Sequence, residues 1–143
     1  MKLSAKVEYA FKAVVELALR YHDEAPVRVH AISRAQKIPQ QFLVQLLLRL
    51  KDAHIVISTR GISGGYYLAR PPSQISLADI VSAVDENSLD TAQGKAAGRA
   101  GEAERLLAGI WQGLNASARQ KLEGITMDQV ITRLKKEEPA YQI

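Results

Sequence analysis

Apolar residues recur at helical spacing through most of the chain, and two short β-rich runs interrupt them. Between Ser4 and His22 they fall at Val7, Ala10, Phe11, Val14, Val15 and Ala18. Steps of three and four put these side chains on one face of a helix, and Ser4 is suited to cap its start. Residues 23–29, with Pro26 as the breaker, end it. A short helix is expected over residues 30–37, with Ala31, Ile32 and Ala35 turned inward. Pro39 then stands where the first turn of a new helix tolerates proline. In this third helix Phe42, Leu43, Leu46, Leu47 and Leu50 form the expected core face, and Gln40, Gln41, Val44, Gln45 and Leu48 the opposite one. Solvated helix faces usually carry Glu and Lys, whereas this one offers amides at its first turn.

The runs IVIST (residues 55–59) and YYLAR (residues 66–70) flank RGISGG, a pattern that predicts an antiparallel hairpin. After Pro71, Pro72 and Ser73 comes another short helix, with Ser76 as its cap and Leu77, Ile80, Val81 and Val84 apolar. Residues 87–101 lose all periodicity and are rich in Gly and Ala. Loops of that length inside a compact domain are often functional or disordered. A long helix follows, with Ala103, Leu106, Leu107, Ile110, Trp111 and Leu114 in one stripe, and a last short one with Met127, Val130, Ile131 and Leu134.

Three helices followed by a two-stranded hairpin is the order of a winged helix-turn-helix, so the expected fold is mainly α with a small β-hairpin wing. The major groove of DNA admits one α-helix, and the Gln-rich third helix is the candidate to enter it. Glutamine suits the N6/N7 edge of adenine, and Val44 a thymine methyl. Arg60, at the lip of the hairpin, is placed for phosphates or the minor groove. The candidate DNA-binding set is Arg28, Pro39, Gln40, Gln41, Val44, Gln45 and Arg49 on the helices, with Ser58, Thr59, Arg60, Gly61, Ser63 and Gly64 on the hairpin.

Charge sharpens this reading. Residues 1–72 carry 11 Lys and Arg against five Asp and Glu, a net of +6, whereas residues 73–143 carry eight against ten, a net of −2. A basic N-terminal half suits a polyanion, nucleic acid before membrane. No apolar run reaches the length of a spanning helix and the N-terminus does not read as a signal peptide, so a cytoplasmic location is expected. Cysteine is absent, which excludes disulfides and thiolate metal sites. GISGGYY lacks the Gly-Lys-Ser/Thr of a phosphate-binding loop. A β-rich run follows it where a dinucleotide fingerprint needs a helix. The three histidines are scattered, and for His54 a capping or core role outweighs catalysis. No catalytic set has local support, and no enzyme is expected.

The segments IPQQFL, LLLRL and RGISGGYYLARPP, within a stretch that continues through SQISLADIVSAVDE, closely resemble the Rrf-two family of winged-helix transcription regulators. The resemblance runs from KLSAKVEYAFKAVVELA through almost the whole chain. It implies a homodimer whose long C-terminal helix crosses to the partner subunit, with Leu106, Leu107, Ile110, Trp111 and Leu114 at the contact. It also implies three units: a DNA-binding domain at residues 1–72, a short helix and flexible effector loop at 73–101, and a dimerisation region at 102–143. Many members hold an iron–sulfur cluster through three loop cysteines. Here the corresponding positions fall near Ala92, Ala97 or Gly98, and Ala103 or Glu104, beside Gln93, and none offers sulfur. No cofactor is therefore expected. The chain is a cysteine-free relative, or a sensor of a small molecule or protein, or a sequence whose cysteines were replaced. Members often carry an acidic residue where Val44 stands, so their operators do not transfer. The expected function is a sequence-specific DNA-binding regulator, a repressor, with double-stranded DNA as partner. The alternative is a regulatory module that acts through a partner enzyme.

Overall fold

Ser4 starts the first helix by accepting a hydrogen bond from the Val7 backbone N–H at 3.3 Å. The computed structural model describes residues 3–85 and 101–137. In chain order it runs α1 (Ala5–Leu19), α2 (Val29–Gln36), α3 (Gln40–Asp52), β1 (Val56–Thr59), β2 (Gly65–Leu68), a 3-10 turn (Pro72–Gln74), α4 (Leu77–Val84), α5 (Glu102–Glu123) and α6 (Met127–Glu137). The expected architecture is therefore observed: mainly helical, with one antiparallel hairpin after the third helix. Among the described residues no helix is long and apolar enough to cross a membrane.

One core joins nearly every element. Ala10, Ala13, Val14 and Leu17 of α1 meet Ile32 of α2, Leu43, Leu47 and Leu50 of α3, Leu68 of β2, Ile80 and Val84 of α4, and Met127 and Ile131 of α6. At α4 the Ser76 hydroxyl accepts from the Asp79 N–H while the Asp79 carboxylate accepts from the Ser76 N–H, so two donors at the helix start are bonded reciprocally. The segment leading into α6 is stitched to the start of α4. Leu77 N–H donates to the Ile125 carbonyl and Met127 N–H to the Ile75 carbonyl, each at 2.9 Å.

The turn between α2 and α3 uses no glycine. Lys37 takes the left-handed conformation with φ at +54°, and the Ser33 hydroxyl donates to the Ile38 carbonyl at 2.5 Å. Ile38, 2% exposed, anchors the turn in the core. A second tie is polar. The Glu16 carboxylate, 7% exposed, accepts from Arg20 Nε at 2.6 Å and from Gln36 Nε2 at 2.9 Å. It thus fastens the end of α2 to α1.

Residues 23–29 do more than break a helix. Val27 pairs with Tyr66, exchanging both backbone hydrogen bonds at 2.8 Å. The hairpin is thereby bonded to the chain just before α2. That pairing presses Val27 against Gly65, where a Cβ atom would lie 2.6 Å from the Val27 carbonyl oxygen.

Some expectations about faces are corrected. Phe42 is 53% exposed rather than in the core. The buried stripe runs through Leu43, Leu46, Leu47 and Leu50, and Phe42 sits about 100° of helix rotation to one side of Leu43, with its ring against Tyr9 at a centroid distance of 6.4 Å. Ala35 is exposed rather than turned inward, because α2 is short and buries a single side chain, Ile32. Of the two roles expected for His54 the structure shows capping and not core: it is exposed and, with φ at +60°, ends α3 in the left-handed conformation.

Gly65→Ala is expected to destabilise the protein by about 1–3 kcal/mol, because the Val27 backbone must move to admit the methyl group. Gly124→Ala, where the nearest atom would be 3.5 Å away, should change stability by less than about 0.5 kcal/mol. Paired urea denaturation curves measure both.

Candidate nucleic-acid interface

The helix α3 begins at Pro39, which has no N–H to leave unbonded, and whose carbonyl accepts from the Phe42 and Leu43 N–H groups at 3.1 and 3.0 Å. With Leu43, Leu46, Leu47 and Leu50 fixed in the core, helical geometry turns Gln41, Gln45 and Leu48 outward, with Gln40 and Val44 on one flank. Pro39, Gln40, Gln41 and Gln45 are exposed, Val44 is 39% exposed and Leu48 51%. Among the described residues, no side-chain hydrogen bond occupies the three amides. The result is an outward row of free donors and acceptors beside two apolar side chains.

The hairpin is built to hold a tight tip. Thr59 pairs with Gly65 at the last rung, and the Thr59 Oγ1 accepts from the Gly65 N–H at 3.2 Å. Gly64 N–H donates to the Gly61 carbonyl at 3.0 Å. Gly61 adopts φ of +107° and a Cβ on Gly64 would lie 2.6 Å from the Thr59 carbonyl oxygen, so both positions require glycine. Arg60, Gly61 and Ser63 stand exposed on this tip, and Ser58 is half-buried on β1. Thr59 therefore shapes the turn through its hydroxyl. Arg28 caps α2 with extended backbone. It follows Val27, which pairs with Tyr66 one rung from the tip, so it lies beside the tip end of the ladder. The structure thus brings Arg28 together with the hairpin residues.

Arg49 is engaged elsewhere. Its Nη1 donates to the Val84 carbonyl at 2.9 Å, which ties α3 to the C-terminal end of α4, where carbonyls are unpaired and the helix dipole favours a cation. Nearby, Arg70 Nη2 meets the Asp79 carboxylate at 3.1 Å. Of the loop positions, Ala92, Gln93, Ala97 and Gly98 lie outside the described residues. Ala103 and Glu104 open α5, and the Glu104 carboxylate accepts from the Gly101 N–H at 3.1 Å. Among the described residues no group of three metal-ligating side chains comes together. The α5 stripe is solvent-facing along its length: Leu106 is 68% exposed, Leu107 59%, Ile110 54%, and Trp111 and Leu114 51% each.

Three features have no clear signal in the sequence. The pairing of Val27 with Tyr66 is not periodic. Glu16 has the pattern of an ordinary surface residue of α1. Ile62, between the glycines of the hairpin tip, reads as loop, although it is 91% exposed.

A tri-helical unit with an outward amide-bearing third helix and a basic, glycine-held hairpin defines a winged helix-turn-helix DNA-binding protein. Residues 3–133 match the family model described as "Rrf2: Iron-dependent Transcriptional regulator". The chain belongs to this family and is a DNA-binding transcription regulator. It is similar to the HTH-type transcriptional regulator IscR of Cereibacter sphaeroides, with 39% identity over 120 residues, 81% of this chain and 77% of that one. Over 87 residues it is 46% identical to slr0846 of Synechocystis sp., which bears the name of an HTH-type regulator; that match spans 61% of this chain and 58% of the other. The solved structure of T. potens IscR superposes with a TM-score of 0.75 at 28% identity, covering all of this chain and 93% of the other.

Gln41→Ala is expected to leave the unfolding free energy within about 0.5 kcal/mol of wild type. It should relax base preference at one or two positions, worth about 1–3 kcal/mol each. Urea denaturation checks the first, and sequencing of DNA selected by each protein from a random pool checks the second.

Proposed function

We propose that this regulator binds operator DNA as a homodimer, with α3 in the major groove and the hairpin at the minor groove, and that it represses by occupying promoter DNA. The observation that carries this reading is the set of unbonded amides at Gln40, Gln41 and Gln45 on a helix whose other face is locked in the core. Arg28 and Arg60 supply cations on the wing side, beside the tip end of its ladder and on the tip itself. Repression needs no further chemistry, because a dimer seated on a promoter excludes polymerase. The role is one of binding rather than catalysis.

The dimer rests on α5. Five large apolar side chains at more than half exposure on one helix are a poor surface for a monomer, and an amphipathic helix whose apolar stripe faces solvent gains most by packing that stripe on its own copy. In this reading residues 1–72 form the DNA-binding unit, 73–101 the connection and 102–143 the dimerisation region. A salt titration on random duplex DNA tests the assignment. For wild type, the logarithm of affinity should fall linearly with the logarithm of salt, with a slope near −0.9 for each phosphate neutralised. A flat response would instead favour action through a partner enzyme. Ile110→Glu should sediment as a monomer and bind the duplex at least about tenfold more weakly, because two half-sites no longer add.

The family description names iron, and the residues here do not fit a cluster. Iron–sulfur clusters are held by thiolates, with imidazole as the usual substitute. The chain has no cysteine, and of the positions that the resemblance makes correspond only Glu104 bears a carboxylate, one oxygen of which accepts from the Gly101 N–H. We therefore propose that DNA binding is constitutive and independent of iron, small molecules and protein effectors. Protein purified without oxygen and incubated with iron and sulfide should remain colourless and bind DNA equally with and without chelator. A coloured protein whose affinity falls on chelation would overturn this.

A further inference from the structure

The hairpin tip presents one large apolar side chain to solvent. Ile62 is 91% exposed, more than any other large hydrophobic residue described. Its neighbours in the turn are Arg60, Gly61, Ser63 and Gly64, so Arg60 and Ile62 are the two side chains there larger than serine. The tip is held on both sides: Thr59 pairs with Gly65, the Thr59 hydroxyl accepts from the Gly65 N–H, and Gly64 N–H closes on the Gly61 carbonyl. The rung just behind the tip is fixed in turn by the pairing of Val27 with Tyr66. A β-branched residue is poorly suited to a turn, and here it gains nothing from the fold. Its surroundings describe what it meets: a cation two residues away, no acidic residue in the turn, and a narrow rigid finger.

We propose that Ile62 is an apolar wedge that enters the minor groove of the bound DNA and partly unstacks one base step. This inference rests on the DNA-binding reading given above and goes beyond it in naming the side chain and its action. Minor-groove proteins commonly insert an aliphatic side chain between base pairs and kink the duplex, and the protein surface that the bend wraps offsets the unstacking. Arg60 would hold the phosphates or groove wall while Ile62 reaches the base edges. Pyrimidine–purine steps unstack most easily, so the wing would prefer such a step without hydrogen-bonding to it. Two kinds of readout would then act on one operator: amides of α3 reading edges, and the wing reading deformability.

The test starts from duplexes selected by the full-length wild-type protein from a random pool. Wild type, Ile62→Ser, Ile62→Leu and Arg60→Ala are compared for Kd across a salt series. The duplexes carry 2-aminopurine at successive steps of the wing site, so that unstacking raises fluorescence. Thermal melts should coincide, since Ile62 touches nothing that holds the fold. Ile62→Ser should weaken binding about tenfold, in line with loss of one buried aliphatic side chain. It should leave the salt slope unchanged and abolish the fluorescence rise. Ile62→Leu should keep both affinity and signal. Arg60→Ala should instead lower the slope by about one. Wild-type affinity and signal in Ile62→Ser would overturn the wedge alone, as would weakened binding with no unstacking at any step in wild type. If wild type selects no duplex at all, the DNA-binding reading falls and takes the wedge with it.

Discussion

The close approach of Val27 to Gly65 is the contact on which the geometry of the binding surface depends. A two-stranded hairpin alone is marginal in water and could swing about its connection to α3. Here its inner strand is bonded on both edges, to β1 through the regular ladder and to Val27 through a reciprocal pair of backbone bonds. Two residues beyond Val27 the chain enters α2, and a short turn beyond Gln36 leads into α3. The wing and the third helix are thus positioned from the same short segment. A residue larger than glycine at position 65 would part them, so one missing side chain sets the distance between wing and third helix.

Polar and apolar ties share the work on the helical side. Glu16 bonds to Gln36 across the α1–α2 contact, and Ser33 braces the turn that Lys37 bends. Leu43, Leu47 and Leu50 then fix the roll of α3. Because the roll is fixed from below, the outward side chains can be exchanged without disturbing the fold. On the proposed reading, a change of operator needs only a change at Val44 or Gln41 while α1 and α4 stay as they are.

Much of the fold is legible in the sequence because regular elements write their period into it. The Ser76 capping box, the Leu43–Leu50 stripe and the Gly-held hairpin all follow from local chemistry. Phe42 is misplaced by periodicity for a definite reason. A dense apolar run is compatible with several faces, and only packing against α1 decides that Leu43 faces in and Phe42 out. Val27, Glu16 and Arg49 are illegible in a different way. Each acts through one partner distant in sequence, Tyr66, Gln36 and Val84 respectively, and a single long-range bond leaves no periodic trace. Ile62 is hidden because an apolar residue among glycines reads as filler until its exposure is seen. The α5 stripe poses the opposite problem: its pattern is clear, but a pattern cannot say whether a helix packs within its own chain or on another.

The bridge between Ser76 and Thr126 bears on how such a chain evolves. It clasps the polypeptide where α4 begins and where α6 begins, so everything between departs from and returns to one fixed buckle. Lengthening a closed excursion is thermodynamically mild, about 0.6 kcal/mol for each doubling. A change of length beyond α4 can therefore be absorbed while the clasp, and α4 with its buried Ile80 and Val84, keep their register. Length on the far side of α4 is thus a variable that selection can change without asking anything of the hairpin or the third helix.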